Sequence, residues 1–161
     1  MLSSINGGRA KLAPSQALPE QVDAPHWEHF PHGADIGIRG FGVSKAQAFE
    51  QAALALTAVM TMPQSVQPEF SAAIHCEAAD DEFLFLDWIN ALVFEMATRN
   101  MLFGCFHVNL DETGLNAVIR GEPVDTTRHH PAVEVKGATF TELAVRQTPD
   151  GNWLAQCVVD V

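Results

Sequence analysis

Hydrophobic residues recur at helical spacing in two segments of the chain. After Ser44 the apolar positions repeat every three or four residues until Pro63, a pattern that predicts an amphipathic helix. Ser44 and Gln47 have the spacing of a capping box, which places the helix start at Ser44. The acidic run Asp80 to Glu82 suits the positive end of a second helix. This second helix is apolar on nearly every face, so we expect it to be central and well buried.

Alternating apolar and polar residues predict strands in most of the remaining chain. The first packed segment, 26–30, breaks at Pro31, and a strand follows at 35–39, where Gly40 and Gly42 indicate a strand end with a bulge. Turn signals at 111–114 and 149–151 separate later strands. Further strands are predicted at 66–77, 103–110, 115–121, 133–136, 140–147 and 153–161.

This order of elements predicts the fold class. Strand, helix, strand and helix are followed by about four strands, which is typical of a single α+β domain with two helices packed on a largely antiparallel sheet. Residues 1–24 are rich in Ser, Gly, Pro, Gln and Ala and have no periodic apolar face. We therefore expect a disordered N-terminal extension at 1–24 and one folded domain at 25–161.

Composition and charge narrow the classes of partner. The chain is 47% hydrophobic and 18% charged, as in ordinary globular proteins. Its formal net charge of −11 and only 9 Lys and Arg residues argue against direct binding of nucleic acid. An acidic chain suits a cation or a basic protein partner. No apolar stretch approaches the roughly 20 residues needed to cross a bilayer, so no membrane association is expected.

The cysteines and histidines give weaker signals. Cys76, Cys105 and Cys157 lie far apart with no apolar signal segment before them, which favours buried, reduced thiols in a cytoplasmic protein. Histidines at 26, 29 and 32 would suit zinc on a helix, but Pro31 argues against a helix there. We expect these and the pair at 129–130 to be surface or turn histidines. Phosphate-binding loops, dinucleotide fingerprints and nucleophile elbows are absent from the sequence, so no motif indicates an enzyme.

Carboxylates make a better candidate site. The last predicted strand ends in Asp160 and Val161, where a side-chain carboxylate and the chain's α-carboxylate lie side by side. If this strand neighbours the strand that begins at Asp35, three carboxylates converge, and they repel one another unless a proton or cation intervenes. Such ligands suit Ca²⁺ first, with Mg²⁺ or Mn²⁺ as alternatives. Solvated aspartates at strand ends are the simpler interpretation.

Three further charged residues lie in the neighbouring predicted strands and loop. These are Glu122, Asp125 and Lys136. Lys136 belongs to the alternating run at 133–136 and is expected to point to solvent, as most lysines do.

Six segments, in the same order, resemble the archease family. They lie between residues 26 and 161 and occupy 32–37, 48–55, 87–92, 121–122, 134–139 and 159–161. The chain departs from the family pattern at Gly33, where the family usually has threonine, and at Gly137, where it has alanine. Both departures leave the nearby charged residues, Asp35 and Lys136, in place.

The resemblance implies an accessory protein rather than an enzyme. Archeases assist the GTP- and manganese-dependent RNA ligase of tRNA splicing and RNA repair by promoting its guanylylation and multiple turnover. The resemblance carries the family's cation site to Asp35, Asp160 and the carboxylate of Val161, and its functionally required lysine to Lys136. Two alternatives stay open: a chaperone of RNA-modifying enzymes such as tRNA methyltransferases, and a small hydrolase whose metal activates water.

Overall fold

Two antiparallel sheets and two long helices form the structure of residues 25–161, the part of the chain that this computed structural model describes. The predicted disorder at 1–24 lies outside the described residues. A 3₁₀ turn follows the first helix at Pro63–Ser65. In chain order the elements are β1 (His26–His32), β2 (Asp35–Gly42), α1 (Lys45–Met60), β3 (Phe70–Cys76), α2 (Asp81–Arg99), β4 (Met101–Leu110), β5 (Leu115–Pro123), the single turn α3 (Thr126–His129), β6 (Gly137–Ala138), β7 (Ala144–Gln147) and β8 (Trp153–Asp160).

The strands divide between two sheets. One sheet has the order β1-β2-β8-β6, with β7 also paired to β8, and the other has the order β3-β5-β4. Every pairing is antiparallel. Helix α1 packs on β2 of the first sheet and on β4 of the second, so its buried face joins them. The predicted α+β domain with helices on antiparallel sheet is confirmed, and the division into two sheets is the detail that the sequence pattern did not show.

Both long helices begin and end where their sequence signals predict. Ser44 Oγ accepts a hydrogen bond from the N–H of Gln47, and Gln47 Oε1 accepts one from the N–H of Val43, 2.8 Å away. Asp80 caps α2 through the N–H of Phe83, and Asn100 ends that helix in the left-handed conformation. Within residues 25–161, no helix is both long and apolar enough to cross a membrane.

Helix α2 is held in the core by its aromatic side chains, as its nearly continuous apolar surface predicts. Trp88 is fully buried, and its Nε1 donates a hydrogen bond to the carbonyl of Phe49 on α1 at 3.0 Å. The rings of Phe49 and Phe85 meet edge to face at 5.1 Å between centroids. Two phenylalanines of this helix, Phe83 and Phe94, are nevertheless exposed.

Gly40 and Gly42 do not form the predicted bulge. The register of β2 with β8 runs without interruption through both residues, and that of β1 with β2 runs without interruption through Gly40. Instead, a Cβ at Gly40 would lie 2.3 Å from the carbonyl oxygen of Ala48 and 2.3 Å from the nitrogen of Ala52. The bare backbone at this position is what lets α1 lie directly against β2.

Three predicted strand boundaries are wrong. Pro31 belongs to β1, which tolerates it because β1 is an edge strand and has no second neighbour that needs the missing N–H. The strand predicted at 66–77 begins only at Phe70, after the 3₁₀ turn. The one predicted at 140–147 begins at Ala144, because a turn with Glu142 at φ 56° interrupts it.

Residues 133–136 do not form the predicted strand. Only Val135 is buried, whereas Val133, Glu134 and Lys136 are exposed, so burial does not follow the apolar and polar alternation of the sequence. The segment has no ladder along its length, and its pairing to β8 starts with the hydrogen bond from Lys136 N–H to the carbonyl of Asp160. The alternation in the sequence predicts a strand where only one side chain packs on the core.

The three cysteines are free thiols, as predicted, but only two are buried. Burial raises the pKa of Cys76 to about 11 and that of Cys157 to about 12. Cys105 is exposed, contrary to the prediction, because it follows a shift in the register of β4 and β5 that turns it outward.

Candidate functional site

Strands β2 and β8 are neighbours, so the residues from opposite parts of the chain meet. Ile36 pairs with Val159, and Asp35 and Asp160 are the next residues outward on the two strands. The N–H of Val161 lies 3.4 Å from Asp35 Oδ1, longer than a typical hydrogen bond. Val161 packs against the edge of the core. The structure therefore meets the condition that the sequence left open, since the backbones of Asp35, Asp160 and Val161 lie together at the ends of neighbouring strands.

Lys136 reaches the same place from the other side of β8. Its N–H donates to the carbonyl of Asp160 at 2.8 Å, and Gly137 pairs with Asp160 in the sheet. Asp160 therefore lies between Asp35 on β2 and Lys136, the residue that precedes β6. Both Asp160 and Lys136 are exposed, and neither side chain forms an ion pair with another residue of the described range 25–161.

The donor set fits a hard divalent cation. Two aspartate carboxylates and a main-chain carboxylate at Val161 supply only oxygen, which Ca²⁺, Mg²⁺ and Mn²⁺ prefer. Residues 25–161 contain no group of three or more His, Cys, Asp or Glu side chains that could hold a metal ion. The third carboxylate of this candidate site belongs to the main chain, so the site depends on Val161 ending the chain. Cation binding here stays a prediction.

The spaced histidines lie on a strand, which separates them. On β1 alternate residues face opposite sides, so His29 points away from the side that His26 and His32 share. His29 Nε2 lies 2.8 Å from the carbonyl of Ala55 on α1, and the ring of His26 stacks on Phe41 at 4.5 Å. These contacts fit the predicted non-metal interpretation.

A buried ionic cluster around Glu122 was not predicted. Glu122 is only 3% exposed, and its carboxylate accepts hydrogen bonds from both terminal nitrogens of Arg128, at 2.8 and 2.6 Å. It also accepts one from the N–H of Gln67 at 2.7 Å and contacts His129 Nε2 at 2.9 Å. The Arg128 guanidinium is the main reason that the pKa of Glu122 falls to about 2.

His129 is buried in this cluster, contrary to the prediction of a surface or turn histidine. Its Nδ1 accepts a hydrogen bond from the N–H of Asp125, so Nε2 carries the proton that is donated to Glu122. Thr61 donates its hydroxyl hydrogen bond to the carbonyl of His129 at 2.6 Å. Asp125 caps α3 by accepting from the N–H groups of Thr127 and Arg128.

Glu122 and Asp125 therefore stabilise the segment between β5 and Lys136, and they are not part of the carboxylate site. Strand periodicity places Glu122 on the outer side of β5 with Asn116 and Arg120, which are exposed. Glu122 is buried because the segment after β5 and the segment before β3 both contact its carboxylate. That burial depends on tertiary structure, and the alternation of residues in β5 gives no sign of it.

Replacing Glu122 with glutamine is expected to lower the free energy of unfolding by about 1–2 kcal/mol, because Glu122 is buried and loses charged hydrogen bonds, whereas its partner Arg128 is partly exposed to water. In a chain of this size that corresponds to a fall in melting temperature of about 2–8 °C. Chemical denaturation at neutral pH measures the change. Glu112→Gln, at an exposed turn position, is the control and should have little effect.

The low pKa of Glu122 also predicts an acid dependence. A carboxyl group with a lowered folded-state pKa stabilises the fold above its ordinary pKa, near 4.5, and that stabilisation is lost as the pH falls towards about 2. The wild-type protein should therefore lose more stability across this window than Glu122→Gln does. If both proteins lost the same amount of stability, the cluster around Glu122 would not be the source of the acid dependence.

The two departures from the family pattern both border the carboxylate site. Gly33 has φ 60° in the connection between β1 and β2, a conformation that is strained for threonine. A Cβ at Gly137 would lie 3.3 Å from Asn90 Oδ1, which accepts a hydrogen bond from the N–H of Ala138. In this chain the turn before Asp35 therefore depends on glycine, whereas the strand beside Asp160 needs only a small shift to accept alanine.

Comparisons with known proteins agree with the fold. The model of the Archease protein family matches residues 27–161. The archease of Pyrococcus furiosus is 34% identical over 139 residues, which cover 84% of this chain and 98% of that protein. The archease of Sulfurisphaera tokodaii is 36% identical over 138 residues, which also cover 84% of this chain and 98% of that protein.

Two solved structures are similar. The solution structure of a protein from Methanobacterium thermoautotrophicum has a TM-score of 0.69 and 26% identity, covering 84% of this chain and 98% of that one. The crystal structure of an archease from Thermotoga maritima, described as a possible chaperone, has a TM-score of 0.57 and covers 83% of this chain and 96% of that one. At 17% identity, the second likeness concerns the fold alone.

Proposed function

The chain belongs to the archease family, and we propose that it activates a GTP- and manganese-dependent RNA ligase in tRNA splicing and RNA repair. In this role it promotes guanylylation of the ligase and so allows repeated turnover. An accessory role, without catalysis by the chain itself, agrees with the archease names of its relatives and with the description of one fold neighbour as a possible chaperone. The observation that carries the proposal is that Asp35, Asp160 and Lys136 meet at the end of β8, where β2 and β6 flank it.

The charged groups at the end of β8 explain how the chain acts on a partner. Asp35, Asp160 and the Val161 carboxylate would hold a divalent cation, with Ca²⁺ favoured because it accepts irregular oxygen geometry. The bound cation supplies positive charge that lets three carboxylates lie close together. Together with the Lys136 ammonium it balances their charge. Asp160 and Lys136 are both exposed, so the assembled site is open to a docking partner.

The sheet holds Asp160 and Lys136 in place without using their side chains. Asp160 is bound through its carbonyl by Lys136 N–H, and Val159 pairs with Ile36 on the other side. The carboxylate of Asp160 and the ammonium of Lys136 therefore stay available for a cation or for the ligase. This arrangement supports a rigid recognition surface rather than a pocket for a small substrate.

The direct test uses purified ligase, GTP and Mn²⁺, with and without the chain at less than one copy per ligase. We expect the chain to raise both the rate of ligase guanylylation and the number of ligations per ligase molecule. No increase in either quantity would remove the proposed function.

A chaperone of RNA-modifying enzymes is the second candidate. It is favoured by the description of the Thermotoga maritima protein as a possible chaperone. Adding the chain to a purified tRNA methyltransferase and measuring its soluble, active fraction separates the two candidates. Protection of the methyltransferase without any effect on ligase guanylylation would favour the chaperone.

The third candidate, a metal-dependent hydrolase, is distinguished from the other two by a measurement of phosphoester cleavage. A cation between Asp35 and Asp160 could activate water, so a hydrolase would cleave phosphoesters when Mg²⁺ or Mn²⁺ is added. We expect no turnover of such substrates by the purified chain. Turnover that disappears in Asp160→Ala would favour the hydrolase over the accessory role.

A further inference from the structure

Three exposed phenylalanines lie on or beside one stripe of α2. Phe83 and Phe94 are 47% and 62% exposed on α2, and Phe140, in the loop before β7, is 66% exposed. Phe94 lies eleven positions after Phe83, which is three helical turns or about 16 Å, so both side chains lie on one stripe of the helix. The rings of Phe83 and Phe140 meet edge to face at 5.9 Å between centroids, yet both stay largely in solvent. We call Phe83, Phe94 and Phe140 the phenylalanine surface.

The phenylalanine surface is continuous with the carboxylate site. Asn90 lies on the same stripe of α2, between Phe83 and Phe94, and its Oδ1 accepts a hydrogen bond from the N–H of Ala138 at 2.9 Å. Ala138 follows Gly137, which pairs with Asp160. Phe140 lies four positions after Lys136, a span of at most about 14 Å. A partner that covers the phenylalanine surface would therefore also reach Lys136 and Asp160.

A hollow of about 300 Å³ lies against the C-terminal half of α2, and its lining includes Val93, the residue before Phe94. It lies between α2 and the segment that leads to Lys136, and Val133, at its rim, is 41% exposed. It is lined mainly by apolar side chains, among them Met60, Val93, Met96, Met101, Leu102 and Val135. Methionines adapt to partners of different shape, which suits a hollow that receives an apolar side chain.

The charges around this area select the kind of partner. Glu82 and Asp87 are exposed on α2, and Glu134 is exposed at the rim of the hollow. None of the three forms an ion pair with another described residue. A second copy of this chain would bring like charges together, since the whole chain has a formal net charge of −11. A surface with Lys and Arg around apolar side chains is complementary.

We propose that the phenylalanine surface and the adjoining hollow form the docking surface for a protein partner that presents apolar side chains ringed by Lys and Arg. Single exposed hydrophobic residues are ordinary, but an aromatic cluster beside an apolar hollow marks an interaction site. Docking at this place brings the partner against Lys136 and the carboxylates. The inference rests on the proposed function in one respect: the ligase is the partner used to test it.

The test measures binding and guanylylation separately with purified ligase. The double variant Phe83→Ser/Phe140→Ser should raise the dissociation constant by about tenfold or more, because central aromatic side chains carry much of the binding energy of interfaces. Phe70→Ser is the matched control: Phe70 is 55% exposed on the other sheet, and its replacement should leave binding unchanged. Glu82→Lys/Asp87→Lys should also weaken binding, and high salt should weaken wild-type binding. Thermal unfolding shows that each variant is folded.

The outcomes separate this inference from the proposed function. If Phe83→Ser/Phe140→Ser binds and stimulates the ligase as wild type does, the docking surface is wrong, whatever Asp160→Ala does. If wild type binds the ligase, loses that binding in the double variant, and yet never changes guanylylation, the docking surface stands and the proposed function is wrong. No binding of wild type to the ligase would overturn both.

Discussion

Asp160→Ala should reduce stimulation of ligase guanylylation by a factor of about ten or more, the range seen when residues that support a metal site are removed. The Asp160 carboxylate is exposed and forms no hydrogen bond or ion pair within residues 25–161, so its loss should not affect the fold. The backbone pairing of β8 with β6 is independent of this side chain. Guanylylation is measured by incorporation of labelled GMP into the ligase. Asp35→Ala should have the same effect.

Glu112→Gln is the matched control for this loss. It removes one negative charge from an exposed turn between β4 and β5, outside the carboxylate site, and should leave stimulation intact. Full stimulation by both Asp160→Ala and Asp35→Ala would contradict a functional cation site. Docking through the phenylalanine surface would survive that result, because it does not depend on these carboxylates.

Gly40→Ala should lower the free energy of unfolding by about 3 kcal/mol or more, the upper part of the range for added atoms in a packed core. The new Cβ would lie 2.3 Å from backbone atoms of both Ala48 and Ala52. Backbone atoms in a helix cannot rotate away, so α1 must move off β2 as a whole. The same helix contacts β4 of the second sheet, and the movement would disturb both sheets.

Equilibrium denaturation of Gly40→Ala and Gly137→Ala measures this effect against a control. At Gly137 the added Cβ meets only Asn90 Oδ1, at 3.3 Å, and a shift of a few tenths of an ångström relieves the contact. Gly137→Ala should therefore cost less than about 1 kcal/mol. Equal stability of the two variants would show that α1 does not depend on the bare backbone of Gly40.

The sequence predicts those parts of the fold that local interactions determine. At the start of each long helix a side chain accepts a hydrogen bond from the N–H three residues later, so Ser44 and Asp80 mark the starts correctly. The strands β4 and β5 are joined by a short turn in which Asp111 accepts from the N–H groups of Thr113 and Gly114. Such features need no knowledge of the rest of the chain.

Other features depend on contacts between distant segments, and periodicity does not show them. Glycine at position 40 suggests a bulge until α1 is seen lying against it. Glu122 has the position of an exposed strand residue and is buried by contacts with other segments, among them those of Gln67 and Arg128. Alternation at 133–136 suggests a strand, although only Val135 faces the core.

The candidate site lies between these two cases. A carboxylate at a strand end is an ordinary feature, and Asp35 or Asp160 alone would carry no functional meaning. The two residues meet only if β2 and β8 are neighbours, and the sequence alone does not decide this. In the structure Ile36 pairs with Val159, so the two strands are neighbours. The resemblance to archeases supplied the roles of these residues and of Lys136.

Isothermal titration calorimetry with Ca²⁺ tests the cation site most directly. It compares the calcium affinity of the wild-type chain with that of a chain extended by one alanine after Val161. The extension moves the terminal carboxylate by about 3.5 Å and changes no side chain. We predict that wild type binds one cation per chain and that the extension weakens binding by about tenfold or more. Equally tight binding by the extended chain, or no binding by wild type, would contradict the site.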